Sequence, residues 1–215
     1  MFPVLIYCYD AYCGWCYGFS PVLKQLSLRL PDLPIEVVSG GMILPEKPVP
    51  MSNMASFIRE ALPRIESMTG VQFGPDYRWH IEHPELSDWF PHSLKPAIAL
   101  AVFRTFYPNR QVEWAADLQS ALFREGRDLT DDEAYRHLLE KYRLPPDEFY
   151  EKLNSENFRL QAEEDFATCR KLQVTGYPCV LLQHSETSFT VLARGYTDEA
   201  TLYQRLMGGI ASAGN

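Results

Sequence analysis

The β-type segments of this sequence sit at its two ends, so a single sheet can form only by bringing those ends together around whatever lies between. Residues 3–9, Pro-Val-Leu-Ile-Tyr-Cys-Tyr, combine apolar, β-branched and aromatic side chains and predict a first strand. Ile35-Glu36-Val37-Val38-Ser39 predicts a second, stopped by Gly40-Gly41. Comparable runs return only at Cys179–Leu182, introduced by Pro178, and at Phe189–Leu192, which ends at Arg194-Gly195. The intervening stretch, from about Met42 to about Ser155, carries helical or irregular patterning and no convincing strand. The order is therefore β-α-β, a block of helices, then α-β-β-α. This predicts an α/β fold in which a mixed sheet is flanked by helices and an all-helical domain is inserted after the β-α-β half. The boundaries fall at 1–44 with 156–215 for the discontinuous sheet domain, and 45–155 for the insertion.

Local signals fill in the helices. After the first strand, Phe19, Val22, Leu23, Leu26, Leu28 and Leu30 lie close to helical spacing, with a kink expected at Pro21 and an end before Pro31. Pro45, Pro48 and Pro50 mark an irregular entry into the middle block. Ser52–Thr69, Ser93–Phe106 and Val112–Arg124 then read as helices. Thr130 with Glu133 forms a candidate capping box for a helix burying Ala134, Leu138, Leu139 and Tyr142. Pro145-Pro146 ends that helix, Asp147–Leu153 starts the next, and a further one spans about Glu156–Leu172. Thr197 or Asp198 caps a last helix through Leu202, Tyr203 and Leu206, which Gly208-Gly209 is expected to stop, leaving a small-residue tail.

With 215 residues, 46% of them hydrophobic, the chain can bury a sizeable core. Its net charge of -8 arises from interspersed acidic and basic residues, without the basic stripe that nucleic acid would require. No stretch approaches the length of a membrane span, and Met1–Asp10 lacks the basic start and cleavage site of a secretion leader. A soluble cytoplasmic protein is the expectation. Five scattered cysteines, Cys8, Cys13, Cys16, Cys169 and Cys179, argue against a structural disulfide framework.

The chemistry rests on Cys13-Gly14-Trp15-Cys16, which follows a strand and opens a helix. A sulfur at that position faces the unpaired N–H groups and positive end of the helix, where a thiolate is favoured. The second cysteine, one turn further in, can attack a mixed disulfide formed at the first. Cys13 is thus the candidate nucleophile and Cys16 the candidate resolving thiol. Half of a zinc site or a chance pair in a core helix are the competing readings. The former lacks a second knuckle at ligand spacing, so no metal is expected.

The segment Asp10-Ala11-Tyr12-Cys13-Gly14-Trp15-Cys16-Tyr17-Gly18-Phe19, the later Val174-Thr175-Gly176-Tyr177-Pro178 and the closing Ala193-Arg194-Gly195-Tyr196 resemble the DsbA-like family. Within it, the likeness is to the FrnE-like branch of predicted protein disulfide isomerases. The resemblance spans nearly the full chain and implies a thioredoxin-like fold carrying a helical insertion. It further implies a cis Tyr177–Pro178 bond facing Cys13, with Tyr177, Pro178 and Trp15 contacting substrate. The family's strongly oxidising periplasmic members resemble Pro-His between the cysteines, whereas this chain has Gly-Trp, so strong oxidase activity is not implied.

The function expected is a thiol-disulfide oxidoreductase, a reductase or isomerase of protein thiols and disulfides, needing no organic cofactor and using glutathione as an eventual co-substrate. Two alternatives are weighed against it. One is a glutathione-dependent transferase or isomerase resembling the kappa-class and hydroxychromene-carboxylate enzymes, which use a serine-type position where this chain has cysteines. The other is a non-enzymatic binding module. Neither the oligomeric state nor the electron donor is fixed by the sequence.

Other reactive side chains have ordinary readings. Cys8 and Cys169 are expected as buried, inert thiols. Cys179 is placed near the active-site face by Pro178 yet is ordinary for a strand core. His80, His83 and His92, among Trp79, Trp89 and Phe90, read as an ordered loop packed on the helical block or as a groove lining, and Asp10 as a turn residue.

Overall fold

The computed structural model describes residues 3–213; Met1 and Phe2, expected before the first strand, and Gly214 and Asn215, expected in the terminal tail, lie outside them. The strands are β1 (Val4–Tyr9), β2 (Ile35–Ser39), β3 (Cys179–Gln183) and β4 (Phe189–Arg194). They form one sheet in the order β2-β1-β3-β4. β1 pairs parallel to β2 and antiparallel to β3, and β3 pairs antiparallel to β4. The ends of the chain thus build a mixed sheet together, with β1 central because its residues pair on both sides.

Helix α1 (Gly14–Arg29) makes the crossover between the parallel strands. Between β2 and β3 come α2 (Ser52–Thr69), α3 (Pro75–Glu82), α4 (Leu94–Phe106), α5 (Gln111–Phe123), α6 (Arg136–Tyr142), α7 (Pro146–Leu153) and α8 (Glu156–Lys171). Helix α9 (Glu199–Ala213) follows β4. This is a thioredoxin-like fold with a helical insertion.

Both faces of the sheet are covered, which explains the near-continuous apolar character of β1. Leu5, Tyr7 and Tyr9 face a large core shared with Phe19, Leu23 and Leu26 of α1 and continuous with the helical block. Ile6 and Cys8 face the other way, into a smaller cluster with Val38, Leu181, Cys179 and Cys169 of α8. The outer edge of β2 would otherwise expose unpaired backbone groups. Helices α5 and α8 close it: Gln111 of α5 accepts from the Val37 amide at 3.1 Å, and Asp165 of α8 accepts from the Ser39 amide at 3.0 Å. Arg104 pairs with Asp165 at 2.6 Å and donates to the Val37 carbonyl.

Several local expectations are corrected. Helix α1 contains Pro21 within its span, and Leu28 is 81% exposed because it falls off the buried face defined by Phe19, Val22, Leu23 and Leu26. Thr130 does not form a capping box. Its hydroxyl and amide both donate to Asp128, while Asp131 caps a short 3-10 turn and the α-helix begins only at Arg136. The stretch from Phe73 to His92 contains α3, begun by Pro75 at its first position. Gly208-Gly209 does not stop α9, which continues to Ala213 after Asp198 accepts from the Thr201 amide at 2.9 Å. A Cβ at Gly209 would crowd Leu182, so the glycine there permits close packing of helix on sheet.

Candidate active site

Cys13 is the N-cap of α1, in extended conformation (φ -84°, ψ 107°). Its sulfur accepts from the Cys16 amide at 3.2 Å, satisfying one of the first-turn N–H groups that a helix leaves unpaired. No acidic side chain sits in that first turn. Both thiols are free and buried, Cys13 at 5% exposure and Cys16 at 0%. Burial pushes the Cys16 thiol well above its ordinary value, and the neighbouring Cys13 sulfur pushes it further.

Across from Cys13 lies the segment entering β3. The Tyr177–Pro178 peptide bond is cis, and the Tyr177 carbonyl oxygen is 3.5 Å from the Cys13 sulfur. The Pro178 carbonyl accepts from the Gly195 amide at 2.8 Å, holding this segment against the end of β4. Tyr177 is half-buried, with its hydroxyl donating to the Gly40 carbonyl at 2.9 Å. Any Cβ on Gly40 would fall inside the Tyr177 ring, so the first glycine after β2 is a seat for that ring as well as a strand stop.

The turn bearing the cysteines is held from below by buried polar side chains. The Asp10 carboxylate, 1% exposed, accepts from the amides of Tyr12 (3.0 Å) and Met42 (2.7 Å) and from the Ser93 hydroxyl (3.0 Å). It joins the end of β1, the chain after β2 and the start of α4. Burial raises its pKa despite those donors, which act the other way. Gln119 of α5 donates to the carbonyls of Asp10 (3.1 Å) and Cys13 (3.4 Å) and accepts from the Ser20 hydroxyl at 2.9 Å. The insertion therefore clamps the active-site turn.

Trp15 is half-buried, with the Arg64 guanidinium 5.6 Å from its ring centroid. The structure brings Cys13, Cys16, Tyr177 and Pro178 to one place, with Trp15 beside them on the α2 side. Gln119, Ser20, Ser93 and Gly40 were not picked out by sequence reasoning. Only Gly40-Gly41 left a local trace, and it read as a strand stop. His80 bonds Ser87 at 2.8 Å and stacks on Trp89 at 3.9 Å, and His92 accepts from the Leu94 amide, so both have structural partners. Among the described residues, no group of three His, Cys, Asp or Glu side chains is arranged to hold a metal ion. None of the described helices is long and apolar enough to cross a membrane.

A mixed thioredoxin-like sheet with two thiols at a helix N-terminus, opposite a cis-proline segment, defines a protein of the thiol-disulfide oxidoreductase class. The sequence matches the DSBA-like thioredoxin domain over residues 4–206, and the chain belongs to that family. No curated protein sequence matches it. Among solved structures it is similar to a candidate protein disulfide isomerase from Nitrosomonas europaea, with 19% identity, 99% of each chain covered and a TM-score of 0.85. It is also similar to the cytosolic disulfide reductase DsbM from Pseudomonas aeruginosa with GSH, with 25% identity, 97% of this chain and 98% of that one covered, and a TM-score of 0.75. A 2-hydroxychromene-2-carboxylate isomerase shares the fold at 12% identity and a TM-score of 0.64, over 97% of this chain and 95% of that one.

Proposed function

We propose that this protein reduces or isomerises disulfides of protein substrates through Cys13 and Cys16, with glutathione as the thiol that returns the pair to its reduced form. The observation that carries the reading is the position of the Cys13 sulfur, between the Cys16 amide at 3.2 Å and the Tyr177 carbonyl at 3.5 Å. In the reducing direction, the Cys13 thiolate attacks one sulfur of a substrate disulfide. A Cys13–substrate disulfide forms, and the other substrate sulfur leaves as a thiolate and takes a proton from solvent. Cys16 then loses its proton and attacks the Cys13 sulfur, giving the Cys13–Cys16 disulfide and releasing the second substrate thiol. Two glutathione thiols restore the pair and leave as glutathione disulfide.

Burial and the Cys13 sulfur both hold the proton on Cys16. Once Cys13 is bound in a mixed disulfide its sulfur is no longer a titrating partner, so its share of the push on Cys16, the hydrogen bond first, disappears and Cys16 ionises more readily. The order of the two steps is thereby built into the site. Tyr177 and Pro178 present the backbone along which an extended substrate would lie, and Trp15 offers an apolar contact beside it. No organic cofactor is needed, since the electrons pass between sulfurs. A cytoplasmic location accords with this direction and with the description of DsbM as cytosolic. The alternative of a glutathione transferase or isomerase draws on the shared fold of the chromene-carboxylate enzyme alone, and the retained second cysteine favours disulfide exchange.

Insulin reduction with glutathione as donor tests the proposal. Wild-type protein turns over and Cys13→Ser does not; activity of Cys13→Ser equal to wild type overturns the assignment.

A further inference from the structure

Three further free thiols, Cys8, Cys169 and Cys179, share one small cluster on the face of the sheet opposite α1. Cys8 and Cys179 are direct partners across the antiparallel β1–β3 ladder. Opposed residues in such a ladder have Cα atoms roughly 4.5–5.5 Å apart, within the span of roughly 4.4–6.8 Å that a disulfide bridges. Cys169, from α8, hydrogen-bonds the Cys8 thiol and itself donates to the Ser39 carbonyl at 3.6 Å, so it is the third member of the cluster and the competing partner for Cys8.

Cys179 has two features its neighbours lack. It lines a cavity of about 240 Å³ that opens beside Thr175 and Tyr177, and its partner on β4 is Arg194, which lines the same cavity. Burial pushes the Cys179 thiol up, and the Arg194 charge opposes that push. A thiol reached from a cavity, beside a cation and backed by a second cysteine, has the arrangement of an oxidisable pair.

We propose that Cys179 and Cys8 form a second dithiol, oxidised by an anionic disulfide such as glutathione disulfide, one cysteinyl arm of which reaches Cys179 through the cavity while a carboxylate outside it lies near Arg194. The Cys179 thiolate attacks one sulfur of the disulfide, forming a Cys179–glutathione bond and releasing one glutathione thiolate, which takes up the Cys179 proton. Cys8 then attacks the Cys179 sulfur. The Cys8–Cys179 bond forms, the second glutathione leaves, and it takes the Cys8 proton. The sum is two protein thiols and one glutathione disulfide converted to one protein disulfide and two glutathione thiols. This chemistry stands independently of the role assigned to Cys13 and Cys16.

The test uses full-length protein carrying Cys13→Ser and Cys16→Ser, so that only the cluster can react. It is incubated folded with glutathione disulfide, alkylated under denaturing conditions and mapped by mass spectrometry. Loss of two thiols and a linked peptide joining Cys8 to Cys179 is expected. Adding Cys179→Ser abolishes the loss. Arg194→Gln slows the reaction with glutathione disulfide about two- to fivefold, the effect of one exposed charge contact, while leaving the reaction with uncharged hydroxyethyl disulfide unchanged. The proposal is overturned if Cys179 stays free in folded protein yet reacts in urea. A stable glutathione adduct without loss of Cys8, or a bond joining Cys8 to Cys169, overturns the pairing. Equal slowing of both disulfides by Arg194→Gln overturns the anion recognition.

Discussion

The Cys13 sulfur lies 3.5 Å from the carbonyl oxygen of Tyr177, a residue 164 positions away in sequence. Cys16, fully buried one turn further along α1, contacts the Cys13 sulfur through its amide. A substrate reaching this site meets Cys13 first and Cys16 only through it. Cys16→Ser is therefore expected to attack substrate disulfides normally and then stall. Incubated with a disulfide-bonded protein substrate, it accumulates covalent mixed disulfides seen on non-reducing gels, while Cys13→Ser and the double variant accumulate none. Equal trapping by Cys13→Ser would reverse the two roles.

Gly40 supports the other half of the site. Alanine there forces its Cβ into the Tyr177 ring, so the ring must leave its seat and the hydroxyl bond to the Gly40 carbonyl is lost. The carbonyl facing Cys13 moves with it. Gly40→Ala is expected to lower kcat/KM for a protein disulfide by about 10- to 100-fold, the effect of misplacing a reacting group by about an ångström. Tyr177→Phe keeps the ring seated, loses one hydrogen bond worth about 1 kcal/mol, and retains most activity. Steady-state kinetics on both variants checks the contrast, and equal activity of Gly40→Ala and wild type would show that the Tyr177 position is not limiting.

Gln119 ties the helical insertion to the cysteine turn. Replacing it with leucine, similar in size, removes the second donor of the Asp10 and Cys13 carbonyls, which keep the Cys13 and Tyr17 amides, and the acceptor of the Ser20 hydroxyl, which retains only the Cys16 carbonyl. Three buried hydrogen bonds are lost, each worth about 0.5–1.5 kcal/mol. Gln119→Leu is expected to lose about 2 kcal/mol in urea denaturation and to lose amide exchange protection around residues 10–16. A variant as stable as wild type would mean that the clamp is replaced by water.

Much of this was legible in the sequence because it was local. The strand–Cys-x-x-Cys–helix junction needs only residues 3–30, whereas the cis Tyr177–Pro178 bond was implied by the family resemblance and not by the proline itself, which any edge strand allows. The spans of α2 and α4 followed from spacing of apolar residues within each helix. What was not legible depends on distant partners. Gln119 contacts Asp10 across 109 positions, Ser93 contacts it across 83, and Gly40 meets Tyr177 across 137. Polar residues in a helix or a loop carry no sign that they will be buried against a turn. The capping box failed for a related reason: Asp128 competes for Thr130, and local hydrogen bonding of Asp side chains decides the geometry before the helix can. Helix α3 was hidden by its length, since eight residues with aromatic and histidine side chains give little periodicity.

Asp10 sets the pH dependence of the same turn. Burial raises its pKa above the ordinary 3.8 even though the Met42, Tyr12, Ser93 and Gly41 donors favour the charged form. A carboxyl with a raised folded value stabilises the fold fully below its unfolded pKa, and that contribution is lost as pH rises through the folded pKa. Asp10→Asn cannot ionise, so it escapes this loss while setting an amide donor against donors that the carboxylate accepts. Its destabilisation relative to wild type is expected to be largest near pH 3.8 and to shrink towards neutrality. Urea denaturation of both proteins across that range measures the difference. A gap that widens with pH would mean that the four donors outweigh burial and that the carboxylate is held charged in the folded protein.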